Sequence, residues 1–137
     1  MIDCARGTDY DSEGCDGGFS KDGIVYASKN GIAIKSEYPY TGVDGTCNSS
    51  KTKTRHSVSG YCHVTQNNAA AFVDAVSIKP LSAAINAGGI NFQLYKSGIY
   101  TKNCDGAFDK LNHEILVVGY APEYYIIKNS WGSSWGE

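Results

Sequence analysis

The sequence predicts a loop-rich α+β fold. Three features carry that prediction: two short helical stretches bounded by cap and stop residues, apolar strand-like segments crowded into the second half, and clustered glycines. Of the 137 residues, 16 are glycine, above the roughly 7% average usage. They gather at Gly14-Cys15-Asp16-Gly17-Gly18, from Gly42 to Gly45, and at Gly88-Gly89. Such a distribution argues for a mixed fold and against a helical bundle.

In chain order, the first element is a helix between Gly17 and Gly31. Phe19, Ile24, Val25, Tyr26 and Ala27 supply its apolar positions, Ser20 is the candidate N-cap, and Asn30-Gly31 is the stop. Residues 32–39 are expected to be extended, because Pro39 disfavours helical geometry at Tyr38. From Thr41 to Ser57 the composition turns to Gly, Ser, Thr, Asn and Lys, a linker signal. It places a domain boundary near Ser57, giving domains 1–57 and 58–137. Asn67-Asn68 then caps an alanine-rich helix, Ala69 to Val76, that must end before Pro80. Leu81 to Ala87, His113 to Tyr120 and Tyr124 to Asn129 read as strands of one antiparallel sheet.

Charge excludes some functions. A net charge of −2 and a pI near 5.9 leave no cationic footprint for nucleic acid, since only Lys51, Lys53 and Arg55 cluster. No apolar run approaches the roughly 18 residues that would span a bilayer. Neither a Cys-x-x-Cys pair nor paired histidines occur, so metal binding has no support. Five cysteines, Cys4, Cys15, Cys47, Cys62 and Cys104, are an odd set, implying a free thiol or a partner outside the chain.

The chemistry concentrates near the end. Leu111-Asn112-His113-Glu114 opens one predicted strand, and Lys128-Asn129-Ser130-Trp131-Gly132 closes the next. Two adjacent strands joined by the Ala121-Pro122-Glu123 turn would bring His113 and Asn129 together. An asparagine carbonyl can accept an imidazole N–H without bringing a full negative charge, so the pair reads as a base and its orienter. Trp131 would cover their bond, and excluding water there strengthens it.

These motifs, with Gly14-Cys15-Asp16-Gly17-Gly18 and Tyr38-Pro39-Tyr40, resemble the papain and cathepsin family of cysteine peptidases over essentially the whole chain. The resemblance implies a papain-like two-domain α+β fold, present in part: the later helical domain and most of the antiparallel β-rich domain. It makes His113 and Asn129 catalytic. Gly17 and Gly18 become the loop that meets the substrate backbone, because glycine lets an extended peptide approach as an added strand. Asp16 stands where the family usually has asparagine. The pocket for the side chain two residues before the scissile bond would be lined by Phe19, Ser20, Ala84, Leu111, Asn112 and Glu114, with Trp131 at the site. Glu114 departs from the family's usual small residue after the histidine, and its carboxylate would either fill the pocket or favour a basic substrate residue. Trp135 reads as core packing, and His56 and His63 receive no role.

In that family the histidine follows the nucleophilic cysteine by roughly 130–150 residues, which puts the nucleophile about 20–40 residues before Met1. The chain is therefore expected to be a fragment of a cysteine endopeptidase, inactive by itself. The alternative is a catalytically dead homologue that binds peptides or proteins. The resemblance also pairs Cys4 with Cys47, closing a loop worth about 4 kcal/mol in the chain-entropy model. It sends Cys15 and Cys104 to cysteines outside the chain and leaves Cys62 without a counterpart. No cofactor is implied. The implied partners are peptide or protein substrates, with a propeptide or protein inhibitor also admitted. Family and cysteine usage point to a lysosomal, vacuolar or secreted location. Asn48-Ser49-Ser50 matches a glycosylation sequon.

Overall fold

The computed structural model describes residues 1–102 and 105–137. Cys104 lies outside the described residues. The chain divides into two compact units, Met1–His63 and Val64–Glu137. The expected boundary was near Ser57, a few residues before the division after His63.

The first unit is built on one helix, α1 (Ser20–Asn30), and long loops. Its N-cap is Phe19, in extended geometry and without a side-chain capping bond, so Ser20 is the first helical residue and not the cap. Gly31 stops the helix at φ +70°, and its N–H returns to the Ala27 carbonyl at 3.0 Å. The segment that follows is not extended throughout. Ile32 bridges His56, but Glu37 and Tyr38 both return N–H bonds to the Ile34 carbonyl. Proline restricts only itself and the residue before it, and the turn is complete by Tyr38.

Covalent and polar links substitute for a large core in this unit, whose buried residues include Ala5, Ala27 and Asp22. Cys4 and Cys47 form a disulfide, with Cα atoms 4.8 Å apart across 43 residues of chain. Asp3 reinforces the same closure: one oxygen accepts the Tyr38 hydroxyl at 2.7 Å and the other accepts the Gly45 N–H at 2.9 Å. Arg6 donates to the Gly45 carbonyl at 2.7 Å. The Tyr38 hydrogen bond, followed by that from Gly45, holds the Asp3 carboxyl below its ordinary value. Its partner is pushed the other way, the Tyr38 phenol being raised chiefly by Asp3.

The second unit contains helix α2 (Ala69–Ile78), strand β1 (Leu81–Ile85), a single-turn helix α3 (Ile90–Gln93), and strands β2 (His113–Ala121) and β3 (Tyr124–Lys128). Asn68 caps α2 by accepting the Ala71 N–H at 3.0 Å. The strands form an antiparallel sheet in the order β1-β2-β3. Side chains alternate across it. One face presents Ile115 and Val117 to Val76 of α2, joined by Phe72, Leu81, Ala83, Ile85 and Ile127. Burying an aliphatic side chain as fully as Val76, Ile115 and Val117 contributes about 1.5–3 kcal/mol, which makes this cluster the anchor of the unit. The opposite face carries Glu114 across from Ala84, and Leu116 across from Lys128.

Candidate active site

His113 is the first residue of β2, on the face of Ile115 and Val117 by strand alternation. Asn129 directly follows β3. Ile127, two residues earlier, pairs with Val117, so the same alternation turns Asn129 toward the His113 face. The two side chains meet: His113 Nε2 lies 2.9 Å from Asn129 Oδ1. That oxygen also accepts the Ser130 N–H at 2.8 Å. A backbone N–H can only donate, so the carboxamide presents its oxygen to both groups and Nε2 must carry the proton. The other ring nitrogen, Nδ1, is left to accept or donate a proton in chemistry. Asn129 Nδ2 is buried and has no hydrogen-bond partner among the described residues, so the amide is oriented through its oxygen.

Trp131 covers the pair, its ring centroid 4.8 Å from that of His113 and tilted by 32°. Sequence reasoning missed what supports it. Phe92, 8% exposed on α3, meets Trp131 edge-on at 5.6 Å and Trp135 at 5.2 Å. Trp135 donates its indole N–H to the Phe92 carbonyl at 2.8 Å. Lys96 holds the Ser134 carbonyl at 2.7 Å, and Gly136 returns to the Tyr95 carbonyl at 3.0 Å. The loop bearing Trp131 is thus clamped onto an aromatic platform. Phe92 had no signal beyond being an isolated aromatic in a glycine-flanked segment.

Ala84 and Leu111 line a cavity of about 750 Å³ in the second unit, with Phe92, Tyr100 and Trp135 among its other walls. Asn112 and Glu114 are not among those walls. Asn112 is occupied in bracing β1, its Oδ1 accepting the Ala87 N–H at 2.9 Å and its own N–H bonding the Ile85 carbonyl. Glu114 is partly buried on the face opposite His113 and accepts the Ser82 hydroxyl at 3.3 Å.

In the first unit, a 3-10 turn spans Gly14–Asp16. Gly17 and Gly18 follow, both exposed, and then Phe19, which is 53% exposed. Gly17 adopts φ +124°, a region that favours glycine. Gly18 is glycine for a steric reason: a Cβ there would collide with the Ser12 side chain and approach its Cα within 3.1 Å. Cys15 and Cys62 are exposed free thiols. Asp44 accepts the Cys15 N–H at 2.8 Å and pairs with Arg6 at 3.2 Å. Desolvation, then the bond to Asp44, raises the Cys15 thiol.

Comparison with known proteins identifies the family. The model of the papain family cysteine proteases matches residues 1–137, and the chain belongs to that family. It is 41% identical to Cysteine proteinase 1 of Entamoeba histolytica, over the whole of this chain and 44% of the relative. It is 40% identical to Macrodontain-1 of Ananas macrodontes, over all of this chain and 62% of that one. Among solved structures, the Carica candamarcensis cysteine protease CMS1MS2 in complex with E-64 superposes with a TM-score of 0.90 at 36% identity, covering 99% of this chain and 61% of the other. The fold is the papain-like α+β fold in part, and the chain spans less than two thirds of the length of these relatives.

Proposed function

We propose that these residues form the histidine–asparagine half, and the substrate-backbone loop, of a cysteine endopeptidase that cleaves peptide bonds through a thiol acyl-enzyme. The observation that carries this reading is the 2.9 Å contact between His113 Nε2 and Asn129 Oδ1 under Trp131, in a chain of the papain family. With Nε2–H committed to Asn129, Nδ1 is the nitrogen that serves the thiol. It takes the thiol proton to give a thiolate and imidazolium, and the thiolate attacks the scissile carbonyl carbon. As the tetrahedral adduct collapses, Nδ1–H protonates the leaving amine and a thioester remains. Nδ1 then accepts a proton from water as its oxygen attacks the thioester, and returns it to the departing sulfur. Asn129 stays bonded throughout and keeps the ring in register.

The nucleophilic cysteine is proposed to lie in a segment preceding residue 1, so residues 1–137 alone should hydrolyse nothing. Gly17 and Gly18 would meet the substrate backbone. Phe19 and Ser20 in the first unit, and Ala84, Leu111, Asn112 and Glu114 in the second, would each contact substrate side chains, with peptides and proteins as substrates. The Cys4–Cys47 bridge supports an oxidising compartment, such as a lysosome, a vacuole or the cell exterior.

The test is to express the complete open reading frame and titrate it with a thiol-reactive epoxide while following peptide hydrolysis. Stoichiometric labelling of one upstream cysteine, with loss of turnover, is the expected result. Labelling that fails in both wild type and His113→Ala, without hydrolysis, would instead identify a catalytically dead peptide-binding homologue.

A further inference from the structure

Asp22 is a buried charged residue, 5% exposed, that the proposed chemistry does not use. It lies in the first turn of α1, where the helix dipole favours an anion. Burying a carboxylate is costly unless it is hydrogen-bonded, and its partner is informative. Ser12 Oγ donates to Asp22 Oδ2 at 2.7 Å and accepts the Phe19 N–H at 3.0 Å. A carboxylate can only accept, so the hydroxyl proton must point to Asp22 and a lone pair must face Phe19. The charge polarises the hydroxyl and strengthens the second bond.

Phe19 is the N-cap of α1 and has no capping side chain of its own. Ser12, on the far side of the glycine loop, captures its N–H. Between them runs the loop Gly14-Cys15-Asp16-Gly17-Gly18, whose Gly17 and Gly18 would meet the substrate. Glu13 closes the same loop by donating its N–H to the Gly17 carbonyl at 2.9 Å, and the ion pair of Lys21 with Asp11 at 2.7 Å ties the two flanks from outside. Ser12 also lies directly beneath Gly18, where it would meet any added Cβ. One side chain thus sets both the closure of the loop and the height of the Gly18 backbone.

We propose that Ser12 and Asp22 are positioning residues for substrate binding: through Ser12, the buried Asp22 carboxylate fixes the Gly17-Gly18-Phe19 backbone where it receives the extended substrate chain. This rests on the peptidase reading above, and it assigns the pair to affinity and not to the bond-breaking steps. Neither residue touches the thiol, His113 or the scissile bond in that mechanism.

In the complete enzyme, Ser12→Ala should raise KM for peptide substrates about tenfold, the factor expected for one lost hydrogen bond, with kcat within about twofold of wild type. Asp22→Leu should do the same. Asp22→Asn keeps an oxygen to accept the hydroxyl and should recover most of the affinity lost in Asp22→Leu. Amide exchange in residues 1–137 supplies a readout independent of activity: Ser12→Ala should accelerate exchange at Phe19 while leaving Val117 protected.

A folded Ser12→Ala enzyme with wild-type KM overturns the proposal, as does a loss confined to kcat or failure of Asp22→Asn to recover affinity. If wild type hydrolyses nothing, the peptidase reading is what has failed. Unchanged Phe19 exchange in Ser12→Ala overturns the brace itself. Where Ser12→Ala does not fold, the Asp22→Asn and Asp22→Leu pair decides.

Discussion

Asn129→Ala removes a single oxygen that accepts from both the His113 ring and the Ser130 N–H. The lost group is the oxygen 2.9 Å from His113 Nε2, in a contact shielded by Trp131. During catalysis the ring passes through the imidazolium, and a hydrogen bond to a charged group contributes about 1.5–3 kcal/mol. At about 1.4 kcal/mol per tenfold, kcat should fall about 10- to 150-fold. Asn129 does not reach substrate in the proposed mechanism, so KM should hardly move. The assay is steady-state hydrolysis of a fluorogenic peptide by the complete enzyme, with active sites counted by titration so that misfolded protein does not count as slow protein. His113→Ala should abolish turnover altogether, whereas Asn129→Asp keeps an acceptor oxygen and should lie above Asn129→Ala. Wild-type kcat in Asn129→Ala would refute the orienter role. A loss matching that of His113→Ala would mean that Asn129 does more than hold the ring.

Cys47→Ser should lower the urea midpoint of the first unit, because the bridge closes 43 residues and such a loop is worth up to about 4 kcal/mol; equal midpoints with and without reductant would contradict that. Glu114→Ala should shift the preference two residues before the cut from arginine or lysine toward leucine or phenylalanine in peptide libraries. An unchanged profile would give the carboxylate a structural role, such as its bond to Ser82, and no part in specificity. The Tyr38–Asp3 bond should stabilise over a window bounded at both ends. With its folded value lowered, Asp3 contributes fully above its ordinary 3.8, and that contribution is lost as pH falls through the lower folded value. With its folded value raised, Tyr38 contributes fully below its ordinary 10.0, and that is lost as pH rises through the higher folded value. Comparing unfolding midpoints of wild type and Tyr38→Phe should therefore show the largest gap between those limits. A gap that is constant at all pH would remove the linkage.

The sheet was legible in the sequence because its signal is local. β-branched and apolar residues from His113 to Tyr120 and from Tyr124 onward, separated by Ala121-Pro122-Glu123, specify a hairpin without reference to the rest of the chain, and β2 and β3 follow it within a residue. The start of α1 was misread by one residue. Ser20 has the chemistry of a cap, but Phe19 takes the extended cap conformation and its carbonyl already accepts the Asp22 N–H at 3.0 Å, which puts Ser20 inside the first turn. Likewise, Pro39 correctly restrains Tyr38 yet says nothing of the return from Ile34 to Glu37 and Tyr38.

The same division explains the site. His113 and Asn129 could be paired from sequence because one hairpin joins them, and alternation places both on the face of Val117 and Ile127. Phe92 could not, since it reaches Trp131 only once α3 and the loop carrying both tryptophans have packed. Gly18 falls between these cases. Its identity was read as freedom for a substrate to approach, but on the protein side the requirement is Ser12, whose hydroxyl must pass beneath it to join Phe19 to Asp22. A larger residue at position 18 would therefore act twice, obstructing the face where the substrate backbone is proposed to lie and displacing the side chain that holds that face in place. Gly18→Ala should accordingly raise KM more than Ser12→Ala does. If the two variants are equal, the height of the loop, and not access to it, is what glycine provides there.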